Sequence, residues 1–170
     1  MIHKKMEEAI NKQINAEMYS AYLYLAMAAY FEGCDQPGFA SWMKVQYQEE
    51  LSHALKFFNY VHERGGQVTL AAIDAPQHKW DSPLHVFEET LKHEEYVTSL
   101  INGLFDIALE VRDHTSNSFL QWFLDEQVEE EATASNIVAQ MKMVSESRDG
   151  LFMLDKELGQ RVFVDATQAK

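Results

Sequence analysis

Cysteine is nearly missing from this 170-residue chain: Cys34 stands alone, so no internal disulfide can form, and no Asn-x-Ser/Thr acceptor site occurs. Both absences fit a reducing compartment, and a cytoplasmic protein is expected. Proline and glycine are scarce, three and seven residues, which excludes a loop-rich or collagen-like chain. Basic residues are outnumbered, 14 Lys and Arg against 27 Asp and Glu, for a net charge of -13. Phosphates would be repelled by such a chain, so neither nucleic acid nor an anionic membrane is an expected partner. No apolar run approaches the roughly 18 residues of a membrane span. The opening Met-Ile-His-Lys-Lys-Met-Glu-Glu is charged from the outset, unlike a secretory leader.

What is present is a packed globule, 46% hydrophobic and 12% aromatic, of a length that predicts one domain over residues 1–170. The few breakers leave four long stretches, about 5–32, 38–64, 84–111 and 115–146, each with apolar residues at three- and four-residue spacing. These are amphipathic helices of about 40 Å, and their length predicts an all-α four-helix bundle. Gly33-Cys34-Asp35-Gln36-Pro37 can only reverse the chain, as can the turn around Arg112-Asp113-His114. Residues 65–83 can instead span roughly 60 Å, enough for a long crossover that makes helices two and three parallel. Gln67-Val68-Thr69-Leu70 would be extended within it. Leu151, Leu154 and Leu158 mark a short fifth helix over about 150–160, and the tail over 161–170 is expected to be disordered or loosely docked.

Each apolar stripe is broken near its midpoint by a carboxylate. The first runs Ile10, Ile14, Glu17, Ala21, Tyr24, Ala28, Phe31; the second Phe39, Met43, Gln46, Glu50, His53, Phe57, Tyr60. The third runs Leu84, Phe87, Leu91, Glu94, Thr98, Ile101, Phe105, Ala108, and the fourth Phe119, Phe123, Gln127, Glu130, Ala134, Ile137, Met141, Val144. Helices of equal length share their midpoints whatever their direction, so Glu17, Glu50, His53, Glu94, Gln127 and Glu130 should meet at one level. Four buried carboxylates repel one another unless cations neutralise them. Oxygen-rich donors with one imidazole suit iron or manganese, and the i, i+3 spacing of Glu50 and His53 aims both at one point. Tyr24 lies two turns beyond Glu17 on the same face, as core or as a neighbour of the metals. Trp122 is expected in the core. The remaining histidines, His93 among them, are expected on polar faces or in loops.

A second acidic run, Asp125-Glu126-Gln127-Val128-Glu129-Glu130-Glu131, is costly to a helix through like-charge repulsion. A solvated face is its ordinary reading; with Glu49 beside Glu50, a further cation site from Glu49, Glu126, Glu129 and Glu130 is the functional one.

At these residues the sequence resembles the ferritins, specifically the non-haem bacterial and archaeal type. The resemblance covers essentially residues 5–160 and rests on Asn-Ala-Glu-Met-Tyr-Ser at 15–20, Gln-Glu-Glu-Leu-Ser-His at 48–53, Glu94, and Gln-Trp-Phe-Leu-Asp-Glu-Gln-Val-Glu-Glu-Glu at 121–131. It implies a ferroxidase centre in which Glu17, Glu50 and His53 hold one iron, with Glu50 bridging to a second held by Glu94 and Glu130. Gln127 would hydrogen-bond or coordinate weakly, Tyr24 would be the tyrosine beside the centre, and Glu49, Glu126, Glu129 and Glu130 a third iron site. The implied activity is iron storage: Fe(II) oxidised with O2 or peroxide and laid down as ferric mineral in a homo-oligomeric cage of 24 subunits. Bacterioferritins carry a second Glu-x-x-His on the fourth helix and a haem-ligating Met after the Glu of the first; Gln127-Val128-Glu129-Glu130 and Leu51 stand there instead, so no haem is expected. One cysteine also excludes the Cys-rich segment of rubrerythrins. An oxidase acting on an organic substrate and a purely structural bundle are the alternatives.

Overall fold

The computed structural model describes residues 1–168, and among them every regular element is helical. Four long helices, α1 (Lys4–Gly33), α2 (Pro37–Glu63), α3 (Pro83–Glu110) and α4 (His114–Val144), are followed by the short α5 (Arg148–Leu158) and a 3-10 turn at Ala166–Gln168. Helix starts follow local chemistry. His3, Ser82, Asp113 and Ser147 each accept a hydrogen bond from a backbone N–H of the first turn, which satisfies donors that have no partner within the helix. Pro37 and Pro83 open α2 and α3, where the lack of an N–H costs nothing. Asp35 and Arg112 adopt positive φ, 57° and 55°, in the two short reversals.

The crossover runs the length of α1. At its start the Ile2 N–H bonds to the Arg64 carbonyl, 2.9 Å. Asn11 then donates to the Gln67 carbonyl and accepts from the Thr69 N–H, and Asn15 donates to the Ala72 carbonyl. At the far end Trp80 packs edge-on against Tyr30, with centroids 5.4 Å apart. Since α2 and α3 both begin at the end of α1 where its chain leaves, they are parallel to each other. Residues 67–70 are held by these side-chain bonds and belong to no strand.

The apolar core is in two halves. One surrounds Met27, Phe31, Phe39, Met43, Phe87 and Met141; the other surrounds Met6, Ile10, Phe57, Val61, Ile101 and Phe123. The buried polar residues Glu17, Gln46, Glu50, His53, Glu94, Gln127 and Glu130 occupy the positions between them along each helix. On α3 the buried face is Val86, Phe87, Thr90, Glu94, Val97, Ile101, Leu104 and Ala108. Leu91, Thr98 and Phe105 are only partly buried. A stripe stepped at 3.5 residues slowly rotates off the face of a straight 3.6-residue helix.

α5 docks through a close approach that requires glycine: a Cβ on Gly38 would lie 1.7 Å from the Asp155 carbonyl oxygen. The neighbouring Phe39 N–H donates to Asp155 Oδ1, 2.8 Å, and Leu154 is buried in the first half of the core. Beyond Gly159 the chain continues against the bundle, contrary to the loose tail expected; residues 169–170 lie outside the described residues.

Candidate metal centre

The midpoint layer brings together the residues that interrupt the stripes. Ligand atoms of Glu17, Glu50 and His53 all lie within 4.8 Å of one another, and all three side chains are buried. His53 Nδ1 is 3.6 Å from Glu50 Oε2. The His53 ring is wedged edge-on between Trp122 and Phe123, with centroids 5.4 and 6.0 Å away, so packing sets its direction. Gln13 Nε2 donates to Glu17 Oε1, 2.9 Å, whereas Glu17 Oε2 is buried with no partner. An orphaned carboxylate oxygen in a water-excluded layer is unfavourable for an isolated protein and suits a site that takes a cation.

Glu94 and Glu130 complete the layer from α3 and α4. Tyr24 donates its hydroxyl to Glu94 Oε1, and Gln127 Nε2 lies 3.3 Å from Glu94 Oε2 and 3.2 Å from the Glu94 carbonyl and from Thr98 Oγ1. Gln46 Nε2 donates to Glu130 Oε2, 2.8 Å. These neutral donors restrain the carboxylates without neutralising them.

The electrostatics show an acid cluster waiting for positive charge. Burial pushes Glu17 up to about 7 and Glu94 up to about 8, the latter helped by the Glu130 charge. Glu50 is lifted well above the carboxylate range by burial and then by Glu94, Glu17 and Glu130, and burial also raises Glu130. Burial lowers His53 to about 4, so its ring is neutral at physiological pH and has a lone pair for a metal. The Tyr24 hydroxyl is raised by burial and by the surrounding carboxylates, and it stays a donor.

The second acidic cluster is looser. Glu49 and Glu126 are partly buried and Glu129 is exposed, next to buried Glu130. Burial raises Glu49 to about 7 and Glu126 to about 6, with Glu130 adding to both.

Several side chains differ from the sequence expectations. Trp122 is only partly buried, at the edge of the second half of the core: it packs against Phe123 and lies beside His53, with Lys56 Nζ 4.2 Å above its ring. His93 is not an ordinary surface histidine. It packs edge-on to Tyr24 and pairs with Ser20 Oγ at 2.8 Å, and burial lowers it to about 4. Arg161 reaches back from the tail to Gln46 and Glu49, a contact with no local signal in the sequence. Gln46 stands on the second stripe one helical turn before Glu50, and Gln13 lies one turn before Glu17; the hydrogen bonds they give to Glu130 and Glu17 have no local signal in the sequence.

Residues 7–144 match the ferritin-like domain family. Over 161 residues the chain is 46% identical to a bacterial non-haem ferritin of Bacteroides fragilis, covering 95% of this chain and all of that one. It is 38% identical over 163 residues to a bacterial non-haem ferritin of Staphylococcus aureus, covering 96% and 98% of the two chains. An open-pore ferritin from the hyperthermophilic archaeon Archaeoglobus fulgidus superposes with a TM-score of 0.94 at 51% identity, covering 95% of this chain and all of that one. A closed form of that ferritin, engineered by site-directed mutagenesis, superposes with a TM-score of 0.96 at 51% identity, covering 96% and 100%. Sequence, fold and the four-helix carboxylate layer thus agree, and the chain belongs to the ferritin family, in its non-haem bacterial and archaeal branch.

Proposed function

We propose that the chain is the subunit of an iron-storing cage and that its midpoint layer is the ferroxidase centre. Ferritins store iron and oxidise Fe(II), and iron here is substrate and cargo. The observation that carries the site assignment is the convergence of Glu17, Glu50 and His53 within 4.8 Å, with one Glu17 oxygen buried and unpartnered. In this reading Glu17, Glu50 and His53 take one Fe(II), Glu50 bridges to a second, and Glu94 and Glu130 complete it. Each Fe(II) gives up one electron; with two protons from solvent, a pair reduces one O2 to hydrogen peroxide or one hydrogen peroxide to two waters. Hard carboxylate oxygens favour Fe(III) over Fe(II), which supplies part of the driving force. The neutral His53 binds without first losing a proton, and Tyr24 and Gln127 hold Glu94 in place.

Tyr24, Phe57 and Phe123 fill the volume beside the centre, none more than 2% exposed, which supports small reactants over an organic substrate. Ferric ions would leave past Glu130 through the cluster of Glu49, Glu126 and Glu129. Among the described residues no helix is long and apolar enough to cross a membrane. We infer one ferritin-like unit per chain, 24 chains per cage and a cytoplasmic location, the last supported by the single free cysteine, Cys34. The test of the site is Fe(II) oxidation by Glu50→Ala and His53→Ala proteins. Slowed oxidation with an intact helical fold supports the assignment, and unchanged rates refute it.

A further inference from the structure

Arg161 lies three residues beyond the end of α5, yet it contacts the edge of the midpoint layer. Its Nη1 donates to Gln46 Oε1 and its Nη2 to Glu49 Oε2, both at 2.5 Å. The guanidinium carbon lies 4.7 Å from the centre of the Trp42 ring, so the planar head is stacked as well as bonded. Gln46 is fully buried and uses both ends of its amide: the carbonyl accepts from Arg161, and the NH2 donates to Glu130 Oε2 at 2.8 Å. One line of hydrogen bonds therefore runs from the tail to a carboxylate of the dinuclear centre. Position is enforced from behind, because the Gly38 to Asp155 contact and the burial of Leu154 fix α5, and α5 fixes where the tail starts.

We propose that Arg161 is a built-in cation that closes the outlet of the dinuclear centre, holding Glu49 and Gln46 until a metal ion arriving by way of Glu130 displaces it. This rests on the reading of the midpoint layer as the iron-oxidising centre. Arginine cannot give up its charge, so a positive guanidinium stands against Glu49 whenever no metal is there. A divalent or trivalent ion at Glu49 and Glu130 competes with a single positive charge and must break two charge-assisted bonds to enter. The guanidinium has somewhere to go. A cavity of about 310 Å³ adjoins it, lined by Trp42, Asn136, Gln140 and Glu157 among others, and Glu157 offers a replacement carboxylate. The outlet thus has two arrangements of one side chain, closed on Glu49 and open toward Glu157. A metal ion pays for the exchange with its own higher charge.

The test is an anaerobic calorimetric titration of the assembled protein with Zn(II), a redox-inert probe, comparing wild type with Arg161→Gln and Arg161→Lys. The first two equivalents per chain report the dinuclear centre, and the third reports Glu49. Arg161→Gln should bind the third equivalent about tenfold or more tightly, since a closed population no longer lowers the apparent affinity. Arg161→Lys, charged but unable to span Gln46 and Glu49 with a fork, should fall between. Adding Glu49→Gln to Arg161→Gln should abolish the third equivalent. Hydrogen exchange over residues 159–165 should accelerate in wild type as that equivalent binds. An unchanged or weaker third equivalent in Arg161→Gln, or a tail whose exchange ignores it, overturns the proposal. Loss of the first two equivalents in wild type would instead overturn the dinuclear reading beneath it.

Discussion

Metal binding at the midpoint layer should expel protons, in a number that the structure bounds. In the metal-free centre Glu94 titrates at about 8 and Glu17 at about 7, both because burial disfavours the charged form. At pH 7 a group with a pKa of about 8 is about 90% protonated and one of about 7 is half protonated, so these two hold about 1.4 protons between them. Glu50, also well above the carboxylate range, adds to that number, whereas His53, lowered to about 4, is already neutral and adds none. A metal ion requires the ionised carboxylates, so binding releases what they hold. The assay is calorimetric titration of the first two Zn(II) equivalents per chain in buffers of different ionisation enthalpy, whose slope counts protons. Release at pH 7 should be about 1.4 protons or more. By pH 8.5 the share from Glu94 and Glu17 should have dropped by about one proton, because both are then mostly ionised. A release near zero at pH 7, or one that stays flat between pH 7 and 8.5, would mean that the carboxylates are already charged, and the reasoning about their burial would fail.

The same groups set the stability of the metal-free protein. Between pH 6.5 and 8 unfolded Glu94 is ionised while folded Glu94, pushed up to about 8, is still largely protonated, so stability falls as pH rises, by about 1.6 kcal/mol over that window with a slope that eases as pH nears 8. His53 and His93, both lowered to about 4, act in the opposite direction only below about 6.5. Urea midpoints at pH 6.5 and 8 should show the decline, and bound metal should remove it; a stability that rises with pH would contradict it. Separately, Gly38→Ala should undock α5, since the added methyl would meet the Asp155 carbonyl at 1.7 Å. Hydrogen exchange in α5 and the tail should increase while α1 to α4 stay protected, and unaltered protection of α5 would show that the close approach is dispensable.

Much of the site was legible because it lies on periodic helices. Glu17, Glu50, Glu94 and Glu130 each occupy a position where the 3.6-residue repeat calls for an apolar residue, and equal helix lengths bring midpoints together whatever the topology. The crossover was legible from its length, since 19 residues exceed what a reversal needs. Other features depend on contacts that no local pattern encodes. Arg161 is an ordinary basic residue in an apolar tail until Gly38, Asp155 and Leu154 dock α5 and point it at Glu49. His93 follows the periodicity of a polar face, but α1 covers that face, so its ring meets Ser20, Tyr19 and Tyr24. Trp122 sits one residue from the core position of Phe123, so only part of its ring is covered, by Phe123, His53 and Lys56.

The central claim is that the midpoint layer oxidises iron, and stopped-flow measurement of Fe(II) oxidation at two Fe(II) per chain tests it most directly. Wild type should oxidise both ions rapidly, and Glu50→Ala and His53→Ala should be at least about tenfold slower with unchanged helical circular dichroism, because each removes a ligand from the one point, among the described residues, where three acidic or imidazole side chains converge within 4.8 Å. Oxidation by either variant at the wild-type rate would contradict the account.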